Sequence, residues 1–294
     1  MFLFLLAVVV AGGGLFLAYR SSDMVLKGNR DPLTTTPRTF GLPFVDEVFL
    51  SADGVVLRGW FLPSSKPSTT ALVVCHGWGG NRSNMIERTH FLRSRGDYPL
   101  FYFDFRNHGE SGAGRGSLSR DEVGDLEAAL RHLRSVHPHE SARIGLFGQS
   151  MGGSVCLWVA AQDPGVAAVA AESPFSELNS ALVRHGKIFY HAPHLFSQLT
   201  LWFVRRRLGF NPNAYAPINI VDRIAPRPLF LLQGERDVRT PPAEGQRLYD
   251  RAGEPKTLWT VPGARHGELA EIGGRDYQDR ILAFFNDAFS RQNA

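Results

Sequence analysis

The chain has 294 residues, 44% of them hydrophobic and 20% charged, which suits one large globular domain or two small ones and excludes a disordered or fibrous protein. Its 32 basic and 28 acidic side chains leave a net charge of +4, too mild a field to imply a nucleic-acid partner. Two cysteines, Cys75 and Cys156, lie in apolar runs without CxxC or Cys/His spacing, so they predict buried thiols, argue against a disulfide framework and suggest no metal site.

Residues 1–19, MFLFLLAVVVAGGGLFLAY, carry no charged side chain. At about 1.5 Å per residue this run just spans a hydrocarbon core of about 30 Å. A cleaved signal peptide normally has basic residues ahead of its apolar core, and none stand there. A retained transmembrane anchor is therefore expected, with Gly12, Gly13 and Gly14 as its weak turn. A signal sequence, leaving a secreted or periplasmic protein, is the alternative. Arg20, Lys27, Arg30 and Arg38 all follow the run, which places the rest of the chain on the cytoplasmic side. Residues 20–44 are polar, with Pro32, Pro37 and Pro43, and predict a tether.

From residue 45 the pattern becomes regular. VDEVFLS and VVLRGWFLP flank Asp53-Gly54, a hairpin signal. ALVVCHG (71–77) is continuously apolar, as a strand buried on both faces would be. A helical segment follows, then the strand PLFYFDF (99–105). Leu126, Leu130 and Leu133 place a helix over 119–136. ARIGLFG (142–148), a helix over 151–163 and VAAVAAESP (166–174) continue the alternation. Residues 176–220 break it, with many aromatic and basic side chains, and predict an inserted helical cap. RPLFLLQGERD (227–237), a helix near 242–252, KTLWTVPG (256–263) and a helix over 275–291 close the chain. Strands alternating with helices predict an α/β fold, a mostly parallel sheet covered on both faces, with its chemistry at the carboxyl ends of the strands.

One such strand end carries Gly148-Gln149-Ser150-Met151-Gly152, a G-x-S-x-G turn between strand and helix that would expose the Ser150 hydroxyl. Serine needs a base. His266, in VPGARHGE after the last strand, is the candidate. The carboxylate that would orient it is Asp237, in GERD at the preceding strand end; Glu172, ending the 166–174 strand, is the alternative acid. The loop His76-Gly77-Trp78-Gly79-Gly80-Asn81 supplies candidate oxyanion donors, the backbone N–H of Trp78 together with that of Met151. It lacks the Lys-Ser/Thr of a phosphate-binding loop and the GxGxxG spacing, which speaks against a nucleotide. His76 is expected to order this loop by hydrogen bonding.

With these motifs stand SADGVVLRGWFLP, DFRNHGESG (104–112), ESPF (172–175) and LLQGERDVRTPP (231–242). From about residue 45 to 290 the sequence resembles the α/β-hydrolase superfamily, most of all its small tethered esterase, monoacylglycerol-lipase and acyl-thioesterase-like members. The resemblance implies that fold with a cap, a Ser150–His266–Asp237 triad and no cofactor. It makes DFRNHGESG a structural loop, with no catalytic role for Asp104 or Arg106. Trp78 is bulky for the oxyanion position and would act through its backbone while narrowing the acyl pocket. The expected function is hydrolysis of an ester or thioester of an apolar small-molecule or lipid acyl group, with the N-terminal segment in a membrane. A peptidase or acyltransferase using the same residues, or a non-catalytic binding protein of the same fold, is the alternative.

Overall fold

A computed structural model describes residues 1–291, apart from the side chains of residues 2–11 and 291. Among the described residues the chain forms nine helices and eight strands. In order these are α1 (Phe2–Lys27), β1 (Val45–Leu50), β2 (Val56–Leu62), β3 (Thr70–Cys75), α2 (Arg82–Thr89), α3 (Phe91–Ser94), β4 (Leu100–Asp104), α4 (Arg120–Val136), β5 (Arg143–Gln149), α5 (Met151–Gln162), β6 (Val166–Glu172), α6 (Leu178–Tyr190), α7 (His194–Leu208), β7 (Leu229–Gly234), α8 (Pro242–Arg251), β8 (Lys256–Val261) and α9 (Leu269–Arg291).

The strands make one sheet in the order β1-β2-β4-β3-β5-β6-β7-β8. β1 and β2 pair antiparallel, β2 joins β4 antiparallel, and every later pairing is parallel. The hairpin turns at Gly54, whose φ of 83° suits glycine. β3, β4, β6 and β7 are buried along their whole length, which explains their unbroken apolar runs.

Two apolar layers cover the sheet. On one face Leu126, Leu130 and Leu133 of α4 pack with Val155 and Leu157 of α5 and Leu248 of α8. On the other, Met85 and Ile86 of α2 meet Phe91, Tyr277, Ile281 and Phe285. The terminal helix begins at Leu269, earlier than its spacing predicts, because two helical pieces meet across Gly274, at φ 48°. The inserted segment between β6 and β7 holds α6, α7 and three short 3-10 turns that end at Ile224.

The N-terminal region differs most from a simple anchor and tether. The helix runs on through residues 20–27, and residues 28–44 lie against the domain. Asn81 Nδ2 donates to the Asp31 carbonyl (3.2 Å), the Thr34 N–H donates to Ser83 Oγ (3.1 Å), and the Phe40 ring stacks on His90 at 4.5 Å. Among the described residues no helix is long and apolar enough to cross a membrane. The anchor expected over 1–19 falls largely on residues 2–11, whose side chains lie outside the described ones.

Arg106 ties the hairpin to the rest. Its guanidinium donates to Asp125 on α4 (2.7 Å to Oδ1) and to Asp53 in the hairpin turn (2.8 Å to Oδ2). Asp125 is fully buried, and burial pushes its carboxyl up to about 6 even against the pull of Arg106. Removing one partner of a buried pair strands the other, at a cost of about 3–5 kcal/mol. Arg106→Met is therefore expected to lower the unfolding free energy by about that much in urea titration, and adding Asp125→Leu should recover part of it. A loss below about 1 kcal/mol would contradict this role.

Candidate active site

β5 passes into α5 through Gly148-Gln149-Ser150-Met151-Gly152. Ser150 sits at φ 53°, ψ −117°, a conformation that costs a residue with a Cβ on the order of 1–3 kcal/mol. The surroundings hold it there. Its N–H donates to the Glu172 carbonyl (2.7 Å), and its own carbonyl accepts from the Ser154 N–H (3.0 Å). A Cβ at position 148 would collide with the Gly152 carbonyl, and one at 152 would lie 2.5 Å from the His76 carbonyl oxygen. The motif glycines thus let three backbone segments converge beneath the serine.

His266 Nε2 lies 3.2 Å from Ser150 Oγ, and its Nδ1 lies 2.7 Å from Asp237 Oδ2. With Nδ1–H donating to the carboxylate, Nε2 is free to accept the serine proton. Asp237 is 2% exposed and well supplied with donors. It accepts from the backbone N–H of Arg239 (2.8 Å) and Thr240 (2.9 Å) and from the Thr240 hydroxyl (2.8 Å). Burial raises its carboxyl, but the His266 and Thr240 donors outweigh that and hold it below the ordinary aspartate value. The carboxylate therefore stays charged at neutral pH. Thr240 was not singled out in the sequence; its signal is its position three residues after Asp237, the reach of a local carboxylate turn.

Glu172, the alternative acid, is not brought to His266. Its side chain accepts from Tyr277 Oη (2.6 Å) and from Gln149 Nε2 (3.1 Å). It joins α9 to the turn between β5 and α5, and its backbone carbonyl holds Ser150. Strand order explains the placement: Glu172 ends the strand beside β5, and its side chain turns to Tyr277 on α9.

The loop after β3 is held by two neutral histidines. His76 Nε2 accepts the Phe105 N–H (3.0 Å) and its Nδ1 donates to the Gly77 carbonyl (2.8 Å). His108 Nε2 accepts the Gly79 N–H (3.1 Å) while its Nδ1 donates to the Arg106 carbonyl (2.8 Å). Burial holds His76 well below the ordinary histidine value and lowers His108 as well. The Gly80 N–H is also taken, by the Gly77 carbonyl (3.1 Å). Among the described residues the Trp78 and Met151 N–H groups enter no such turn or cap bond, so they can point at a ligand. An ideal Cβ on Gly77 would lie 3.2 Å from the Ser150 Cβ, which places the loop beside the serine. His108, within the loop the resemblance marks as structural, supports the loop after β3 through one hydrogen bond from the Gly79 N–H.

A cavity of about 830 Å³ opens on Ser150 and His266. Its floor includes Trp78 and Met151, and Leu178, Leu182, Phe196 and Leu201 of the inserted helices line its walls. Trp78 lines it with its ring edge-on to His185, at 6.1 Å.

The sequence pattern of the prolyl oligopeptidase family matches residues 88–292. The chain belongs to the prolyl oligopeptidase family, within the α/β-hydrolase superfamily. It is 31% identical over 245 residues to the uncharacterized protein Rv2307c of Mycobacterium tuberculosis, covering 82% of this chain and 79% of that one. It is 27% identical over 293 residues to the alpha/beta hydrolase domain-containing protein WAV2 of Arabidopsis thaliana, covering 94% and 91%. Among solved structures, the Pyrococcus furiosus esterase Pf2001 superposes with a TM-score of 0.74 at 25% identity, covering 88% of this chain and 98% of that one.

In this member of the prolyl oligopeptidase family the two buried histidines carry a pH signature. They stay neutral in the fold while the unfolded chain takes up protons below about pH 6.5, so stability falls as the pH drops through that point. Each ring contributes up to about 1.4 kcal/mol per pH unit. His108→Gln keeps an acceptor for the Gly79 N–H and removes one titrating group. Thermal unfolding between about pH 5 and 7 should then show a shallower loss than wild type, whereas an identical slope would refute the assignment.

Proposed function

We propose that the protein is a serine hydrolase that cleaves carboxylic esters or thioesters of an apolar acyl group through an acyl-enzyme on Ser150. His266 Nε2 takes the hydroxyl proton as Oγ attacks the carbonyl carbon. Asp237 holds the imidazole tautomer and stabilises the imidazolium. The developing oxyanion meets the N–H groups of Trp78 and Met151. His266 then protonates the leaving group, and water repeats the attack on the acyl-enzyme. These groups suffice for the reaction without a cofactor.

The observation that carries the substrate class is the cavity of about 830 Å³ that ends at Ser150. That is within the range of small-molecule sites, roughly 300–1,000 Å³. Its described lining is mostly apolar; it includes the cations Lys27 and Arg239 and no carboxylate that could hold a peptide amino terminus. This favours an acyl ester over a peptide. Family membership supports peptide cleavage as the second reading. The charge-free run at 1–19 is the one support for a membrane anchor and a substrate presented at a bilayer; against it, Ala18 is fully buried, Tyr19 packs on Phe203 of α7, and among the described residues no helix is long and apolar enough to cross a membrane.

Purified protein assayed on p-nitrophenyl esters, acyl-CoA and aminoacyl-anilides distinguishes these readings. Esters or thioesters of medium and long acyl chains should be cleaved with the highest kcat/KM, and anilides much more slowly. Ser150→Ala should abolish both turnover and labelling by a fluorophosphonate probe. Asp237→Asn should lower kcat by about 10⁴-fold, while Glu172→Gln should leave a larger residual rate. Faster anilide than ester cleavage would overturn the substrate class, and labelling of Ser150→Ala would overturn the site.

A further inference from the structure

The face of α1 turned to the cavity belongs to neither the sheet nor the cap. Leu17, Ser21, Met24, Val25 and Gly28 recur at helical spacing and line the cavity that ends at Ser150. From Leu17 to Gly28 this face runs about 17 Å, at about 1.5 Å per residue.

α1 is fixed in that position from two sides. Against α7, Ala18 and Ser22 are fully buried, and the small residues let the helices approach. Arg207 of α7 donates to Ser22 Oγ (2.8 Å) and lies over the Tyr19 ring at 4.2 Å. Tyr19 also meets Phe203 edge-on, at 5.5 Å. At its carboxyl end α1 stops at Gly28, whose φ of 66° suits glycine. A Cβ there would lie 2.8 Å from the Asn107 carbonyl oxygen and 3.0 Å from the His108 ring. The helix therefore ends against the histidine that holds the Gly79 N–H of the oxyanion loop.

We propose that the carboxyl-terminal half of α1 is a wall of the acyl site, making the N-terminal segment a determinant of acyl-chain selection. The site it completes takes a single, straight, medium-to-long acyl chain, laid along Val25, Met24 and Leu17 with its carbonyl at Ser150. This rests on the ester-hydrolase reading of Ser150 and extends it to a segment outside the hydrolase core. The spacing favours this function over simple attachment: one face of α1 packs on α7, and the adjacent face borders the cavity, with Val25 half-buried against the core and Leu17 and Met24 more than half exposed along an open rim. Phe16 and Arg20 are also exposed but do not line the cavity.

The test uses the full-length chain. Val25→Trp and Met24→Trp fill the cavity beyond the reacting carbonyl. The ratio of kcat/KM for p-nitrophenyl laurate to that for the butyrate should fall at least about tenfold in each, since single methylene differences in an apolar pocket are worth about 10–200-fold. Phe16→Ala, equally exposed but outside the cavity lining, should leave the ratio unchanged. A long-chain alkyl fluorophosphonate with a terminal diazirine gives a second readout on the unaltered protein. After labelling and irradiation, cross-links should appear in the peptide covering residues 17–28. A ratio that moves less than about twofold in both tryptophan variants, or cross-links confined to α6 and α7, would overturn the assignment of α1. Failure of the wild type to hydrolyse any ester or to label would instead sink the underlying reading of Ser150, and with it this one.

Discussion

The constraint on which the candidate site depends is the backbone of Ser150, held at φ 53° where strand β5 turns into helix α5. An isolated residue would relax from that conformation. Here it is trapped, because its N–H is bonded to β6 and its neighbours at 148 and 152 have no side chains to keep the segments apart. The strain presents the hydroxyl above the strand ends. It also leaves the first N–H of α5 beside the Ser150 hydroxyl, where the helix dipole would add to its pull on an anion.

Around that turn each polar partner is itself held. His266 is fixed by Asp237, and Asp237 by two backbone N–H groups and the Thr240 hydroxyl. The loop opposite is fixed by His76 and His108, which must stay neutral because each uses one ring nitrogen as acceptor and the other as donor. Preorganisation of this kind means that donors need not move when charge develops. The same bonds connect the site to distant elements: Arg106 carries the loop to the hairpin, and Gly28 carries it to α1.

Much of this was legible in the chain. Strands buried on both faces read as unbroken apolar runs, so β3, β4, β6 and β7 could be followed along the chain. Gly-x-Ser-x-Gly is legible because the close approach it permits excludes larger residues. The geometry brings Ser150, His266 and Asp237 together, whereas Glu172 ended a strand just as plausibly and faces another way. Sequence order cannot tell which side of a sheet a strand-end side chain takes. Thr240 and His108 were missed because they act through hydrogen bonds to other site residues and match no spacing of their own. The face of α1 was hidden for a different reason. An apolar run reads as a membrane segment whichever part of it packs on protein, and only the contact with α7 and the cavity separates the two uses.

The central claim, that Ser150 accepts the acyl group, is tested most directly by rapid-quench kinetics with a long-chain p-nitrophenyl ester, followed by peptide mass analysis. The account predicts a burst of nitrophenolate stoichiometric with enzyme and an acyl adduct on Ser150. Sustained turnover with no acylated Ser150, where deacylation has been slowed enough to trap an adduct, would contradict it.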